Sequence, residues 1–185
     1  MLVVSITGPR GAGKTEVAMA IIRALISRGY RVAAAKKVLK DSVVREKPDT
    51  DVGRMGDAGA GTVAVIGRRR SRVTLALAPK TLEELLSLLS AGRKVPPDAA
   101  VLEGFEHLVM DRTDVLKVVA AHGERDARAH LRGLADPVLA VCVREPVSSP
   151  LLTDSGSPVE VFTFEDLRSL AAKVVEEAKR LRMLP

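Results

Sequence analysis

GPRGAGKT, residues Gly8–Thr15, follows the apolar run Leu2–Thr7 and is the most informative stretch of the chain. Its spacing matches G-x-x-x-x-G-K-[ST], in which glycines let successive backbone N–H groups surround a phosphate without interference from a Cβ. In this pattern the lysine, here Lys14, neutralises β- and γ-phosphate oxygens, and the hydroxyl of Thr15 binds Mg²⁺. The stretch therefore predicts a nucleotide site made by Gly8, Arg10, Gly11, Ala12, Gly13, Lys14, Thr15 and Glu16.

The segments around this loop predict an α/β fold. Leu2–Thr7 is typical of a buried strand, and Glu16–Ser27 places its apolar residues on one face of a helix whose N-terminus points at the phosphates. Further strand-like and helix-like segments alternate, which indicates a mostly parallel twisted sheet with helices on both faces. We expect a P-loop NTPase fold that forms one domain over residues 1–185.

The boundaries of the elements follow from periodicity, caps and turn residues. The predicted strands are Leu2–Thr7, Arg31–Lys36, Thr62–Ile66, Val73–Leu77, Ala99–Leu102, Val115–Ala120, Val138–Val143 and Val159–Phe162. The predicted helices are Glu16–Ser27, Asp51–Ala58, Thr81–Ser90 and Phe164–Arg182. Between Lys37 and Asp51 we expect a polar loop in which Pro48 prevents a helix.

Composition narrows the class of protein. With 29 Lys and Arg against 23 Asp and Glu, the net charge is +6, which favours anionic ligands. Only 2% of residues are aromatic, so the stacking platforms of single-strand nucleic-acid binders are nearly absent and such a partner is disfavoured. The chain has no 18-residue apolar run and no secretory signal pattern, so we expect a cytoplasmic protein without membrane contact. Cys142, inside an apolar run, is expected to be a buried thiol.

The sequence contains no Asn and no Gln. Loss of these thermolabile amides, together with 28% charged residues, suggests a thermophilic source. It also excludes the glutamine that orients the attacking water in Ras-type GTPases and the Asn-Lys-x-Asp guanine signature of that class. Any recognition of guanine must therefore use another residue type.

A Mg²⁺ ion held by Thr15 needs a carboxylate on a neighbouring strand. Glu103 ends the apolar strand Ala99–Leu102 and is the best candidate, so Lys14 and Glu103 are the predicted catalytic pair. Asp98 begins the same strand and is expected at its far end. Asp51 is a secondary candidate for the metal, as is the nearby Asp49.

Other residues have both a functional and an ordinary explanation. Glu145, after a late strand, could accept hydrogen bonds from the N1–H and amine of guanine, or it could be a solvated loop residue. A basic run could bind a phosphate or a partner's acidic surface, or could form a solvated turn; it consists of Arg68, Arg69 and Arg70. His107, His122 and His130 lack the spacing of metal ligands and are expected to be structural or exposed.

Three segments in order, GPRGAGKT, KKVLKDSVVREKPDTD and VLEGFEH, make the chain resemble the MobB family, molybdopterin-guanine dinucleotide biosynthesis protein B. The resemblance covers roughly Leu2 to Val147. The positions that match the family pattern outside the first segment are Lys36, Lys47-Pro48, Asp51, Ala58-Gly59-Ala60 and Glu103-Gly104-Phe105.

The resemblance implies a GTP-binding homodimer with weak GTP hydrolysis, and the phosphate-loop motif implies Mg²⁺ as the cofactor. Such proteins assist a MobA nucleotidyltransferase in joining GMP to molybdopterin. Two departures bear on partner or substrate contacts: Lys37 stands where the family has a loop histidine, and Glu106 reverses the charge of a family lysine.

Two other functions remain open at this point. In a small-molecule kinase of the same fold, Lys36 and Asp51 would bind and activate an acceptor hydroxyl. In a non-catalytic adaptor, partner affinity would depend on the bound nucleotide while turnover stayed at background.

Overall fold

The computed structural model describes residues 1–38, 40, 47 and 49–184. In chain order the described elements are β1 Leu2–Thr7, α1 Lys14–Ile26, β2 Val32–Lys36, α2 Asp51–Asp57, β3 Thr62–Ile66, β4 Ser71–Leu75, α3 Leu82–Ser90, β5 Ala99–Glu103, α4 Glu106–Val109, β6 Leu116–Ala121, α5 Glu124–Leu131, β7 Val138–Val143, β8 Leu151–Leu152, β9 Pro158–Thr163, a 3-10 turn Phe164–Asp166, and α6 Leu167–Arg180. Most of the predicted loop between Lys37 and Asp51, including Pro48, lies outside the described residues.

The chain forms two compact units. The first unit combines Met1–Lys37 with Thr81–Pro185, and the second unit is Val38–Lys80. A single domain over the whole chain therefore stays a prediction.

The first unit contains a seven-stranded sheet in the order β2-β5-β1-β6-β7-β9-β8. The pairs from β2 to β9 are parallel, and β8 alone runs antiparallel, beside β9. Parallel neighbours need a crossover, and the helices of this unit supply the crossovers. The predicted α/β fold with a mostly parallel sheet is confirmed.

The side chains of β1 point alternately to the two faces of this sheet, and helices cover both faces. Val4 and Ile6 pack into a cluster with residues of α1 and α6. Val3, on the opposite face, packs with Leu82 and Leu85 of α3. Because successive strand residues point to opposite faces, a strand that is apolar throughout must be buried on both.

The carboxyl ends of the parallel strands meet at one edge of the sheet. Register pairs Glu103 at the end of β5 with Ile6 of β1 on one side and with Lys36 of β2 on the other. Val143 at the end of β7 pairs with Ala121 of β6. The carboxyl ends of these strands therefore share one rim, as predicted, and this is the edge where ligands lie in such sheets.

The second unit contains α2 and a two-stranded antiparallel sheet of β3 and β4. β4 is Ser71–Leu75, so the predicted strand Val73–Leu77 was wrong in its bounds by two residues. The cause is the tight turn closed by the Gly67 N–H and the Arg70 carbonyl, which makes Ser71 the partner of Ile66.

Two helices of the first unit were not predicted, α4 and α5. α5 is mostly polar and buries only Ala127 and Leu131, which is too little periodicity to show in the sequence. The predicted start of the last helix at Phe164 was wrong, because a 3-10 turn occupies Phe164–Asp166. None of the described helices combines the length and the apolar character needed to span a bilayer.

The ion pair of Arg31 with Asp98, at the amino end of β5, predicts how the stability of the protein changes at low pH. Asp98 lies there as predicted, and it accepts hydrogen bonds from the Arg31 backbone N–H at 2.8 Å, from Nε at 2.9 Å and from Nη2 at 2.6 Å. These bonds lower the pKa of Asp98 from its ordinary 3.8 to about 2. The pKa of Asp98 is lower in the folded protein than in the unfolded chain. The ion pair with Arg31 therefore contributes fully to stability above pH 4, and this contribution is lost as pH falls through about 2.

We therefore expect Asp98→Asn to destabilise the protein at pH 7 and to flatten the decrease in stability between pH 4 and pH 2. Urea unfolding at a series of pH values measures this decrease. Glu176→Gln, an exposed carboxylate of α6, is the control. A decrease as steep in Asp98→Asn as in the unmodified protein would contradict the assignment.

Candidate functional site

The loop between β1 and α1 depends on two glycines with positive φ. Gly8 has φ +133°, and a Cβ built there would lie 1.9 Å from the Ala120 carbonyl oxygen. Gly13, the residue before α1, has φ +85°, and a Cβ there would lie 2.3 Å from the ring of Phe164. Only glycine combines this backbone conformation with such close neighbours. The loop is therefore held tightly between β6 on one side and Phe164 on the other.

Lys14, the first residue of α1, turns its ammonium group back toward the loop. Its Nζ donates to the carbonyl oxygens of Gly8 at 2.7 Å and Pro9 at 2.6 Å. Burial lowers the pKa of Lys14, an effect that the nearby Glu103 carboxylate opposes. The lysine thus places a partly desolvated positive charge among the backbone groups of the loop.

Thr15 brings α1 into contact with the end of β5. Its hydroxyl lies 3.0 and 2.9 Å from the two carboxylate oxygens of Glu103 and donates to that group. Lys36, at the end of β2, lies 2.8 Å from Glu103 Oε1 and donates to Thr15 Oγ1 at 2.9 Å. Glu103 is only 8% exposed, so its charge is balanced by a close cation rather than by bulk water. The structure brings together three residues that the sequence singled out, Thr15, Lys36 and Glu103.

A second set of contacts joins predicted loop residues to Arg144 and Phe164, which the sequence reasoning did not single out as site residues. Arg144, just after β7, donates to Glu16 Oε1 at 2.8 Å, and its guanidinium lies 4.3 Å from the ring centroid of Phe164. Phe164 in turn abuts Gly13. The position of Arg144 directly after a strand that ends at the same rim was the signal that could have identified it.

The remaining predicted loop residues lie near the end of β6. The Arg10 carbonyl oxygen is 3.2 Å from His122 Nε2, which can donate to it in the Nε2–H tautomer. The Glu145 backbone N–H donates to the His122 carbonyl at 2.9 Å, and a Cβ on Gly123 would lie 3.1 Å from Glu145 Oε2. Glu145 is exposed, and Ala12 is fully buried.

The other two histidines are His107 in α4 and His130 in α5. Lys37 Nζ is 3.2 Å from His107 Nε2, and burial together with this ammonium lowers the pKa of His107. His130 Nδ1 lies 3.6 Å from Glu106 Oε2. Within the described part of the chain, no three His, Cys, Asp or Glu side chains form a metal-binding group.

Other predicted residues belong to the second unit. Asp51 begins α2, and Arg68, Arg69 and Arg70 form the turn between β3 and β4, all in the second unit. Cys142 is fully buried in β7, as expected, and burial raises the pKa of its thiol to about 12, so it stays protonated at neutral pH.

Comparison with known proteins connects this geometry to a family. The sequence profile of MobB, "Molybdopterin guanine dinucleotide synthesis protein B", matches residues 3–136. The chain belongs to the MobB family. The matched range contains Gly8–Thr15, Lys36 and Glu103, while Arg144 and Phe164 lie beyond it.

Solved MobB structures share the fold. A MobB protein homolog from Bacillus stearothermophilus is 23% identical, with a TM-score of 0.69 over 97% of this chain and 99% of that chain. Bacillus subtilis MobB is 21% identical, with a TM-score of 0.66 over 100% of this chain and 99% of that chain. A molybdopterin-guanine biosynthesis protein B is 20% identical, with a TM-score of 0.64 over 96% and 99% of the two chains. Among curated proteins, no sequence matches significantly.

Proposed function

We propose that this MobB family member is a GTP-binding accessory protein with slow GTP hydrolysis. It would assist a MobA-like nucleotidyltransferase in the guanylylation of molybdopterin. The observation that carries the proposal is the contact of Thr15 with both oxygens of Glu103, at 3.0 and 2.9 Å, beside the Lys14 ammonium. A hydroxyl, a carboxylate and a lysine in this arrangement suit a metal-bound nucleoside triphosphate.

The residues present fit Mg²⁺ as the cofactor. Thr15 and Glu103 supply oxygen donors of the kind this ion prefers, and one carboxylate leaves the other positions to phosphates and water. When bound, Mg²⁺ supplies positive charge against the β- and γ-phosphates. Asp51, the secondary metal candidate, remains a prediction.

Lys14 and the start of α1 would hold the phosphate chain. The Lys14 ammonium donates to carbonyl oxygens of Gly8 and Pro9, and phosphate oxygens would replace them as stronger, charged acceptors. Backbone N–H groups of Gly11 to Glu16 would add to this at the amino end of α1. Because the chain has no glutamine to orient a water, we expect hydrolysis to be slow.

Glu145 is the proposed residue for guanine recognition. It is exposed at the rim that carries the phosphate loop, and its backbone is fixed by the bond to the His122 carbonyl. Its carboxylate could accept from the N1–H and the amine of guanine, which adenine does not present as a pair. We also propose that the protein works as a homodimer and that Lys36 and Arg68 to Arg70 contact substrate or partner, as the resemblance and the charges suggest.

Calorimetry with GTP and ATP in the presence of Mg²⁺, with phosphate release followed in the same samples, tests the proposal. We expect tighter binding of GTP and slow release. Glu145→Ala is expected to bring the GTP affinity to that of ATP, with Glu165→Ala as the matched control. Equal affinity for both nucleotides in the unmodified protein would overturn the guanylylation role. Nucleotide consumption that accelerates with one phosphorylatable metabolite, with the phosphoryl group transferred to that metabolite and not released as phosphate, would indicate a kinase.

A further inference from the structure

Lys36 makes an unusual contact with the proposed metal site. Its Nζ lies 2.8 Å from Glu103 Oε1 and 2.9 Å from Thr15 Oγ1. The side chain of Lys36 is 54% exposed, whereas that of Glu103 is 11% exposed. The ammonium is therefore held by these two oxygens, while about half of the side chain is open to solvent.

The two oxygens that hold the Lys36 ammonium are those proposed to bind Mg²⁺. Thr15 Oγ1 uses its proton for Glu103, so it meets Lys36 as an acceptor, the same role it would have toward a metal ion. An ammonium and a divalent cation cannot both occupy the space in front of these two oxygens. The chain thus carries its own cation at this position.

We propose that Lys36 is a tethered cation that neutralises Glu103 and Thr15 without metal and withdraws from them when Mg²⁺ and nucleotide bind. This inference rests on the proposed function, since it assigns a role to a residue of the same site. Lys36 then sets how strongly nucleotide binding depends on Mg²⁺.

The charges at Glu103 support the exchange. The Lys36 ammonium lies 2.8 Å from Glu103 Oε1 and so offsets the negative charge of the carboxylate. With Lys36 on Glu103, the carboxylate does not repel an incoming phosphate chain, and binding can begin without a metal ion. Without Lys36, the buried Glu103 carboxylate loses the cation that lies 2.8 Å from it, and a bound metal ion would replace that charge.

Lys37 provides a matched control, because it is the next residue and has the same charge but a different contact. Its ammonium lies near His107, and only its backbone N–H is bonded to Glu103, through the carbonyl oxygen at 2.9 Å. Replacement of the Lys37 side chain therefore leaves the Lys36 ammonium on Glu103 Oε1 and Thr15 Oγ1.

The test measures the affinity for the β,γ-imido analogues of GTP and ATP by calorimetry, with excess Mg²⁺ and with EDTA. In Lys36→Met we expect the EDTA affinity to fall about tenfold while the Mg²⁺ affinity stays near that of the unmodified protein. The ratio of the two affinities then rises about tenfold, because one charge-assisted contact is lost in one condition only. In Lys37→Met the ratio should be unchanged. Thermal unfolding of each variant checks that it is folded.

Glu103→Gln, alone and combined with Lys36→Met, gives a double-mutant cycle. Without the carboxylate, Lys36→Met should no longer change the ratio, because the ammonium and the metal ion lose their shared partner. If Lys36→Met lowers the affinity equally with Mg²⁺ and with EDTA, the exchange is overturned and Lys36 is a plain phosphate ligand. If Lys36→Met changes neither affinity, the exchange is also overturned. If the unmodified protein binds neither analogue, the proposed function and this inference are both overturned. Equal binding of the two analogues would overturn the guanylylation role but would leave the exchange of Lys36 with Mg²⁺ standing.

Discussion

Replacing Lys14 with alanine is expected to lower the affinity for GTP about a hundredfold or more. The ammonium lies in the mouth of the loop, where it donates to the Gly8 and Pro9 carbonyls at 2.7 and 2.6 Å. Its removal leaves phosphate oxygens in a partly desolvated site without their main counter-charge. Calorimetry with Mg²⁺·GTP measures the loss.

Lys179→Ala, an exposed lysine on α6, is the charge-matched control and should bind GTP normally. Thermal unfolding of Lys14→Ala should stay close to that of the unmodified protein, since the two hydrogen bonds of the ammonium go to Gly8 and Pro9 of one short loop. Unchanged GTP affinity in the variant would show that the loop Gly8–Thr15 is not the nucleotide site.

Gly8→Ala is expected to have the largest effect on stability. A Cβ at this position would lie 1.9 Å from the carbonyl oxygen of Ala120, and φ is +133°, a conformation that alanine rarely adopts. The obstacle is backbone of the central strand β6, which cannot move aside as a flexible side chain can. We expect a loss of about 3 kcal/mol from strain and overpacking together. For a chain of this size such a loss lowers Tm by roughly 10 °C.

Gly29→Ala separates the two causes. Gly29 also has a positive φ, +86°, but a Cβ there would meet nothing within 4 Å. It should therefore show only the backbone term of about 1 kcal/mol. Differential scanning calorimetry of both variants gives the comparison, and equal losses of stability would refute the steric explanation for Gly8.

Residues of the candidate site differ in how far the sequence could predict them. Lys14 and Thr15 are in a local motif, so their side chains lie at the start of α1 without reference to the rest of the chain. Glu103 was predicted from a rule about strand ends, and its contact with Thr15 at 2.9 Å agrees with that rule. The contact of Lys36 with Glu103 was not predicted, because it needs the parallel register of β2 on β5.

The elements differ in the same way. Strands that are buried on both faces, such as β1 and β7, were predicted within a residue because burial requires continuous apolar runs. The short β8 and the polar helix α5 were missed, because neither has a pattern long or apolar enough to distinguish it from a loop.

From the sequence alone came the phosphate loop, the α/β class and the resemblance to the MobB family, since each depends on residues that are close together in the chain or on a periodic pattern. The strand order, the place of Lys36 on Glu103 and the packing of Phe164 and Arg144 against Gly13 and Glu16 came from the folded chain. These contacts join segments that are far apart in sequence. They are set by which strands pair and in which register, and no local pattern encodes that choice.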